Sequence, residues 1–84
     1  MSDSPASHAT AVLEHVVKSV VGDPDAVKVN AEADGDNVQL TVEVGPGDMG
    51  RVIGRRGRIA NAIRTVVRAA GVRDGVDVDV EFLD

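Results

Sequence analysis

The feature that most narrows the possible fold is a pair of glycines around a pair of arginines, Gly54-Arg55-Arg56-Gly57, set inside the run from Met49 to Ile59. A short apolar stretch, Val52-Ile53, leads into Gly54, and an amphipathic stretch follows Gly57. Glycine reaches positive φ without the steric penalty of a Cβ, so Gly54 can end one helix, and Gly57 can let another backbone come close. The expected product is a tight elbow between two helices. The amides that open the second helix have no intrahelical partners and lie at the positive end of its dipole, with Arg55, Arg56 and Arg58 around them. Such an elbow suits a phosphate group.

A formal net charge of −5 argues at first against a polyanionic ligand. The average hides a strong segregation. No acidic residue lies between Asp48 and Asp74, whereas seven of the nine basic residues do: Arg51, Arg55, Arg56, Arg58, Arg64, Arg68 and Arg73. Elsewhere two lysines stand against all fourteen carboxylates. A molecule polarised in this way presents one basic zone to a polyanion and turns its other surfaces away.

At 84 residues the chain has room for a single domain, 1–84, with residues 1–6 as a flexible N-terminus. It has no cysteine, which removes disulfides, thiolate metal sites and a cysteine nucleophile, and agrees with a reducing compartment. The start, Met1-Ser2-Asp3-Ser4-Pro5-Ala6-Ser7, lacks a basic region followed by a long apolar run, and no apolar stretch is long enough to cross a bilayer. A cytoplasmic protein with no membrane association is the expectation. His8 and His15 have no third ligand near them, so two solvated histidines and no metal site are expected.

Leu13, Val16, Val17, Val20 and Val21 fall on one face of a helix running from about Ser7 to Val21, which Gly22 and Asp23-Pro24 stop. Two alternating runs follow: Val27, Val29, Ala31 and Ala33, then Val38, Leu40, Val42 and Val44. The turn residues Asp34-Gly35-Asp36 join them as an antiparallel hairpin. A third alternating run carries Val76, Val78, Val80 and Phe82. The outward face of such a sheet presents Glu32, Glu43, Asp77, Asp79 and Glu81, an unsuitable bed for nucleic acid. Between the second and third strands lie a short helix from Pro46 or Gly47 to Ile53, the elbow, and a longer helix from Arg58 to Ala70. The longer helix has an apolar stripe of Ile59, Ile63, Val66 and Ala70, and Gly71 is expected to end it. The predicted order is α-β-β-α-α-β, an α+β fold in which three helices cover one face of a three-stranded mixed sheet. The helical crossover allows the second and third strands to be parallel neighbours.

Gly45-Pro46-Gly47-Asp48-Met49-Gly50 matches the dinucleotide fingerprint G-x-G-x-x-G between a strand and a helix. The chemistry is wrong for it. The helix is cut by Gly54 after about two turns, no ribose-binding carboxylate appears roughly 20 residues on, and Asp48 would set a negative charge at the phosphate. No Gly-Lys-Ser/Thr exists for a P-loop either. These glycines read better as a turn, with Asp48 as the N-cap of the short helix. No cofactor and no catalytic residue is expected, because nothing near the elbow pairs a nucleophile with a base.

Val52-Ile53-Gly54-Arg55-Arg56-Gly57 between two helices, within this order of elements, resembles the KH family of RNA-binding domains. The stretch from Asp48 to Arg58 is similar to the small stand-alone bacterial KH proteins of the KhpA (YlqC) type, and the helix-first order is similar to the type II arrangement. Motif-level likeness spans about Pro46 to Ile63; elsewhere only the succession of elements matches. The resemblance implies non-enzymatic binding of single-stranded RNA in a groove between the helix-elbow-helix unit and an edge of the sheet. Gly54, Arg55, Arg56 and Gly57 would clamp the backbone, Arg51 and Arg58 would add phosphate contacts, Arg64 is either a further phosphate contact or, like Arg68, a solvated charge, and Ile53 is either the groove floor or a core residue. It further implies a post-transcriptional regulator or RNA chaperone that forms a homodimer, or a heterodimer with a larger KH-containing protein. The single aromatic residue, Phe82, points inward by the strand alternation, so no ring is free to stack a base and base discrimination should be weak. Two other readings compete with RNA binding: a protein-assembly module of the same fold, and a small enzyme acting on a phosphorylated metabolite.

Overall fold

Leu13 and the valines on one side of the first helix need an apolar partner, and the sheet supplies it. In the computed structural model, which describes residues 6–83, helix α1 spans Ser7–Val20 and buries Ala9, Leu13 and Val17, with Val16, Val20 and Val21 packed at the margin. Of the N-terminal segment expected to be flexible, residues 1–5 lie outside the described part, and Ala6 is buried against the core.

A 3-10 turn at Pro24–Ala26 leads into β1 (Lys28–Asp34) and β2 (Asn37–Glu43), which pair antiparallel with Asp34 opposite Asn37. Only Gly35 and Asp36 remain for the loop, and φ is +63° at Gly35 but not positive at Asp36, as a two-residue type II′ turn requires. Strand β3 (Asp77–Leu83) pairs parallel with β2, giving the order β1-β2-β3, so the mixed sheet expected from the sequence is present and β3 is an edge strand. Val38, Leu40, Val42, Val78 and Val80 point to the helices. Glu32, Glu43, Asp77, Asp79 and Glu81 lie exposed on the opposite face.

The crossover between β2 and β3 contains α2 (Met49–Ile53), a 3-10 turn at Arg55–Gly57, and α3 (Arg58–Asp74). Two expectations for α3 need correction. Gly71 does not end the helix, which continues to Asp74 and closes on Gly75 at φ +74°, whose amide bonds back to Gly71 and Val72. Gly71 is instead a point of contact: a Cβ there would lie 2.6 Å from Val78 Cγ2 and 3.2 Å from the carbonyl oxygen of Val76. The buried face also differs from the predicted stripe. Ala60, Ile63, Val67 and Gly71 are buried, whereas Ile59 and Val66 are exposed, Val66 by 50%. Apolar residues lie on more than one side of this helix, and the close approach at Gly71 decides which side meets the sheet.

Two carboxylates tie the helices together. Asp48 stands before α2, yet its side chain does not cap that helix. It is buried, and its two oxygens accept from the amides of Gly22 (3.1 Å) and Asp23 (3.2 Å) just past the end of α1, a correction to its reading as an N-cap. At the other end of the molecule Asp74 accepts from the amides of His8 (3.3 Å) and Ala9 (3.0 Å), and His8 Nδ1 lies 2.7 Å from Asp74 Oδ1. His8 is therefore partnered, although its ring remains largely exposed; His15 is exposed as expected. Burial pushes the Asp74 carboxyl up, but the hydrogen bonds from the His8 ring and from the Ala9 and His8 amides, with the His8 charge, outweigh it and hold the group below its usual 3.8.

Candidate nucleic-acid interface

The elbow owes its shape to three positive φ values in four residues: Gly54 at +69°, Arg56 at +57° and Gly57 at +72°. Gly54 combines its φ with ψ −173°, a region open essentially to glycine alone. A Cβ at Gly54 would also lie 2.6 Å from Ile59 Cγ1 and Cδ1, so the side chain of Ile59 folds over it. Gly57 takes the left-handed conformation with nothing within 4 Å of the Cβ position. The expected roles are thus partly exchanged: the close approach falls at Gly54, which is also conformationally restricted, while Gly57 serves for its φ alone.

Arg56, a non-glycine residue in the left-handed region, holds a conformation that an L residue adopts at a cost of about 1–2 kcal/mol. The effect is to turn both Arg55 and Arg56 outward, and both are exposed. Directly behind them α3 begins with no side chain capping its first amides. The positive end of a 17-residue helix and three arginines, Arg55, Arg56 and Arg58, therefore share one end of the molecule.

The remaining predicted site residues divide. Ile53 is 40% exposed beside the elbow, and the buried member of that apolar pair is Val52, so Ile53 is not a core residue. Arg51 is exposed, with its Nε 3.6 Å from Asp48 Oδ1, and so leans toward the base of α2. Arg64 lies elsewhere. Its Nε donates to the Val80 carbonyl (3.3 Å), its Nη1 donates to Asn61 Oδ1 (3.2 Å), and its guanidinium carbon stands 5.1 Å from the centre of the Phe82 ring. Arg68, one turn on, reaches Asp79 at 3.5 Å.

Gly57, Asn61, Arg64 and Arg68 recur at intervals of three and four, which places them on one side of α3. That side runs along the edge strand β3, and the elbow stands at its head. The sheet edge that this side of α3 faces is β3. Sequence reasoning missed the Arg64–Phe82 pair, because nothing in the spacing shows that a helix residue and a strand residue 18 positions apart will stack. It also missed Asp48 as a tie between helices. Among the described residues no cluster of three or more His, Cys, Asp or Glu is disposed to hold a metal ion, and no helix is long and apolar enough to cross a membrane.

Known proteins place this geometry in context. The family profile described as "KhpA/KhpB, KH domain" matches residues 10–82. RNA-binding protein KhpA of Clostridium acetobutylicum is 46% identical over 72 residues, which cover 86% of this chain and 96% of that protein. The Streptomyces coelicolor protein of the same name is 50% identical over 72 residues, 86% of this chain and 90% of its own. The Bacillus subtilis protein is 39% identical over 77 residues, 92% and 95% respectively. Among solved structures, a crystal structure of an Aquifex aeolicus Era variant bound to GDP and tetrafluoroaluminate superposes with a TM-score of 0.63 at 16% identity, over 88% of this chain and 29% of that one. At that identity the likeness is one of fold.

Proposed function

This chain belongs to the KhpA/KhpB KH-domain family, and from that premise we propose that it binds single-stranded RNA, without catalysis, by clamping the strand's backbone at the Gly54–Gly57 elbow. The observation that carries the reading is the elbow's backbone: positive φ at Gly54, Arg56 and Gly57 accompanies two arginines exposed in front of the start of α3, which no side chain caps. Arg58 adds charge at the same end, Ile53 offers an apolar surface beside it, and Arg51 is exposed on the helix that leads into it. The acidic outer face of the sheet repels a strand laid across it, which leaves the basic side of the molecule as the RNA's path. A rigid duplex fits such a path poorly. The role is that of a post-transcriptional regulator or RNA chaperone in the cytoplasm, with the whole chain acting as a single domain.

The test is Arg55→Asp combined with Arg56→Asp, followed by an RNA titration and a melting curve on one preparation. Both side chains are exposed, and aspartate tolerates the left-handed conformation at position 56 at least as well as arginine, so stability should not fall by more than about 0.5 kcal/mol. RNA binding should be lost, since two carboxylates replace two cations at the phosphate position. In the parent protein, engagement of about three phosphates gives log K a slope near −2 against log salt for a single strand. Native melting with unchanged affinity in the double variant would move the binding site away from the elbow.

One observation favours a partner protein as well. Ile59, Ala62, Val66 and Ala69 are exposed along α3 on a side that the sheet does not cover, and this face suits pairing with a second copy or with a larger KH-containing protein. Sedimentation of the parent and of Val66→Glu over a range of concentrations tests it: a monomer at every concentration removes the self-pairing.

A further inference from the structure

The chain has no free aromatic ring to stack a base, but a substitute exists where α3 meets the edge strand. Arg64 lies on the same side of α3 as Gly57, seven residues and so about 10 Å further along the helix axis. Its guanidinium is fixed from three directions: Val80 O accepts from Nε, Asn61 Oδ1 accepts from Nη1, and the Phe82 ring backs it at 5.1 Å. Those two hydrogen bonds use two of the five guanidinium donors. Both Arg64 and Phe82 are half-buried rather than sealed. A guanidinium held in this way is a flat, rigid, cationic plate, and bases stack on arginine planes as they do on rings.

We infer that Arg64, backed by Phe82, is the base-stacking platform of this protein and sets its preference among bases, rather than serving as a phosphate contact. The inference rests on the RNA-binding reading above, and it places the stacked nucleotide in the groove between α3 and β3, down-chain of the one held at the elbow. A phosphate contact calls for a mobile cation that reaches into solvent, as Arg55 and Arg56 do. Arg64 instead has its charge turned toward a carbonyl, an amide oxygen and a ring, and offers a face. Stacking on a plate discriminates by surface area, so purines are held better than pyrimidines, and a base of either kind better than none.

Three single strands of equal length test this at one salt concentration: oligo-A RNA, oligo-U RNA, and a ribose-phosphate strand without bases. The parent should bind oligo-A at least about fivefold more tightly than the abasic strand, the low end of what stacking on a side chain gives, with oligo-U between them. Arg64→Lys keeps the charge and loses the plane. It should bring the ratio of oligo-A to abasic affinity to within about twofold of unity while leaving the abasic affinity near the parent value. Phe82→Leu keeps the arginine and removes its backing, and should lower the ratio part of the way. Each ratio is taken on one preparation, so the folded fraction cancels. An unchanged ratio in Arg64→Lys overturns the inference, as does an equal loss on all three strands, which marks a phosphate contact. A parent that binds the three strands equally overturns the platform and leaves RNA binding standing; a parent that binds none of them overturns both.

Discussion

Replacing Gly71 by alanine sets two effects of opposite sign against each other. Gly71 lies inside α3 with ordinary helical dihedrals, and alanine in a helix interior is favoured over glycine by about 1 kcal/mol. Propensity alone therefore predicts a more stable protein. Packing predicts the reverse. The new methyl would stand 2.6 Å from Val78 Cγ2, about 1 Å inside ordinary carbon contact, and 3.2 Å from the backbone oxygen of Val76, which cannot rotate aside. Overpacking of a core costs about 1–3 kcal/mol, and with two neighbours engaged we take the upper part of that range. The balance is a loss of about 1–2 kcal/mol, or a fall in Tm of about 5–15 °C for a domain of this size. Thermal melting followed by far-UV circular dichroism reads it directly. In a Val78→Ala background the nearest obstacle is gone, and Gly71→Ala should cost at least about 1 kcal/mol less than in the parent, a coupling within the range for residues in contact. A rise in Tm on Gly71→Ala alone would refute the reasoning, because it would mean that α3 and β3 are not in close contact at this point.

Arg56→Gly relieves the left-handed strain at φ +57° and should stabilise the fold by up to about 1 kcal/mol after the entropy of glycine is subtracted, while the salt slope of RNA binding falls by about 0.7. A melting curve and a salt titration check both halves. Asp48→Ala leaves the amides of Gly22 and Asp23 without their carboxylate and should cost about 2–3 kcal/mol in chemical denaturation. Asp74→Asn tests the other tie by its pH dependence. A carboxyl held below 3.8 in the folded state contributes stability that is present above 3.8 and lost as pH falls through the depressed value. Asp74→Asn should thus be less stable than the parent at neutral pH, with the gap closing below pH 3.8; a gap independent of pH would rule out the carboxylate as its source.

The order of elements, the hairpin and the position of the elbow were legible because each rests on a strong local pattern, and the parallel pairing of β2 with β3 was legible only as what the long helical crossover allows. Val38, Leu40 and Val42 alternate too regularly to be helical, and Asp34-Gly35-Asp36 leaves the chain little choice but to turn. What was not legible depends on partners distant in sequence. Gly71 followed by Val72 reads as a helix stop until Val78 is known to lie against it. Asp48 before a short apolar run reads as a cap until the amides of Gly22 and Asp23 turn out to be nearer. In α3 the apolar residues Ile59, Ala60, Ala62, Ile63, Val66, Val67, Ala69 and Ala70 form two overlapping stripes, and periodicity cannot choose between them. The arginines of the elbow could be read for their charge, but Arg64 could not be read for its stacking, since Phe82 reaches it only through the crossover.

The tie between Asp74 and the first turn of α1 also determines which end of the chain can be handled. Asp74 closes α3, and the amides that it holds open α1, so Ser7 lies at the end of α3 remote from the elbow, about 25 Å away along a 17-residue helix. Strand β3 then runs back beside α3, with Asp79 near Arg68 and Phe82 near Arg64, and Leu83 finishes close to the head of the groove. A dye, an affinity handle or a surface tether joined ahead of Ser7 leaves the arginine elbow in open solvent. The same group joined after Leu83 crowds the entrance of the proposed RNA path.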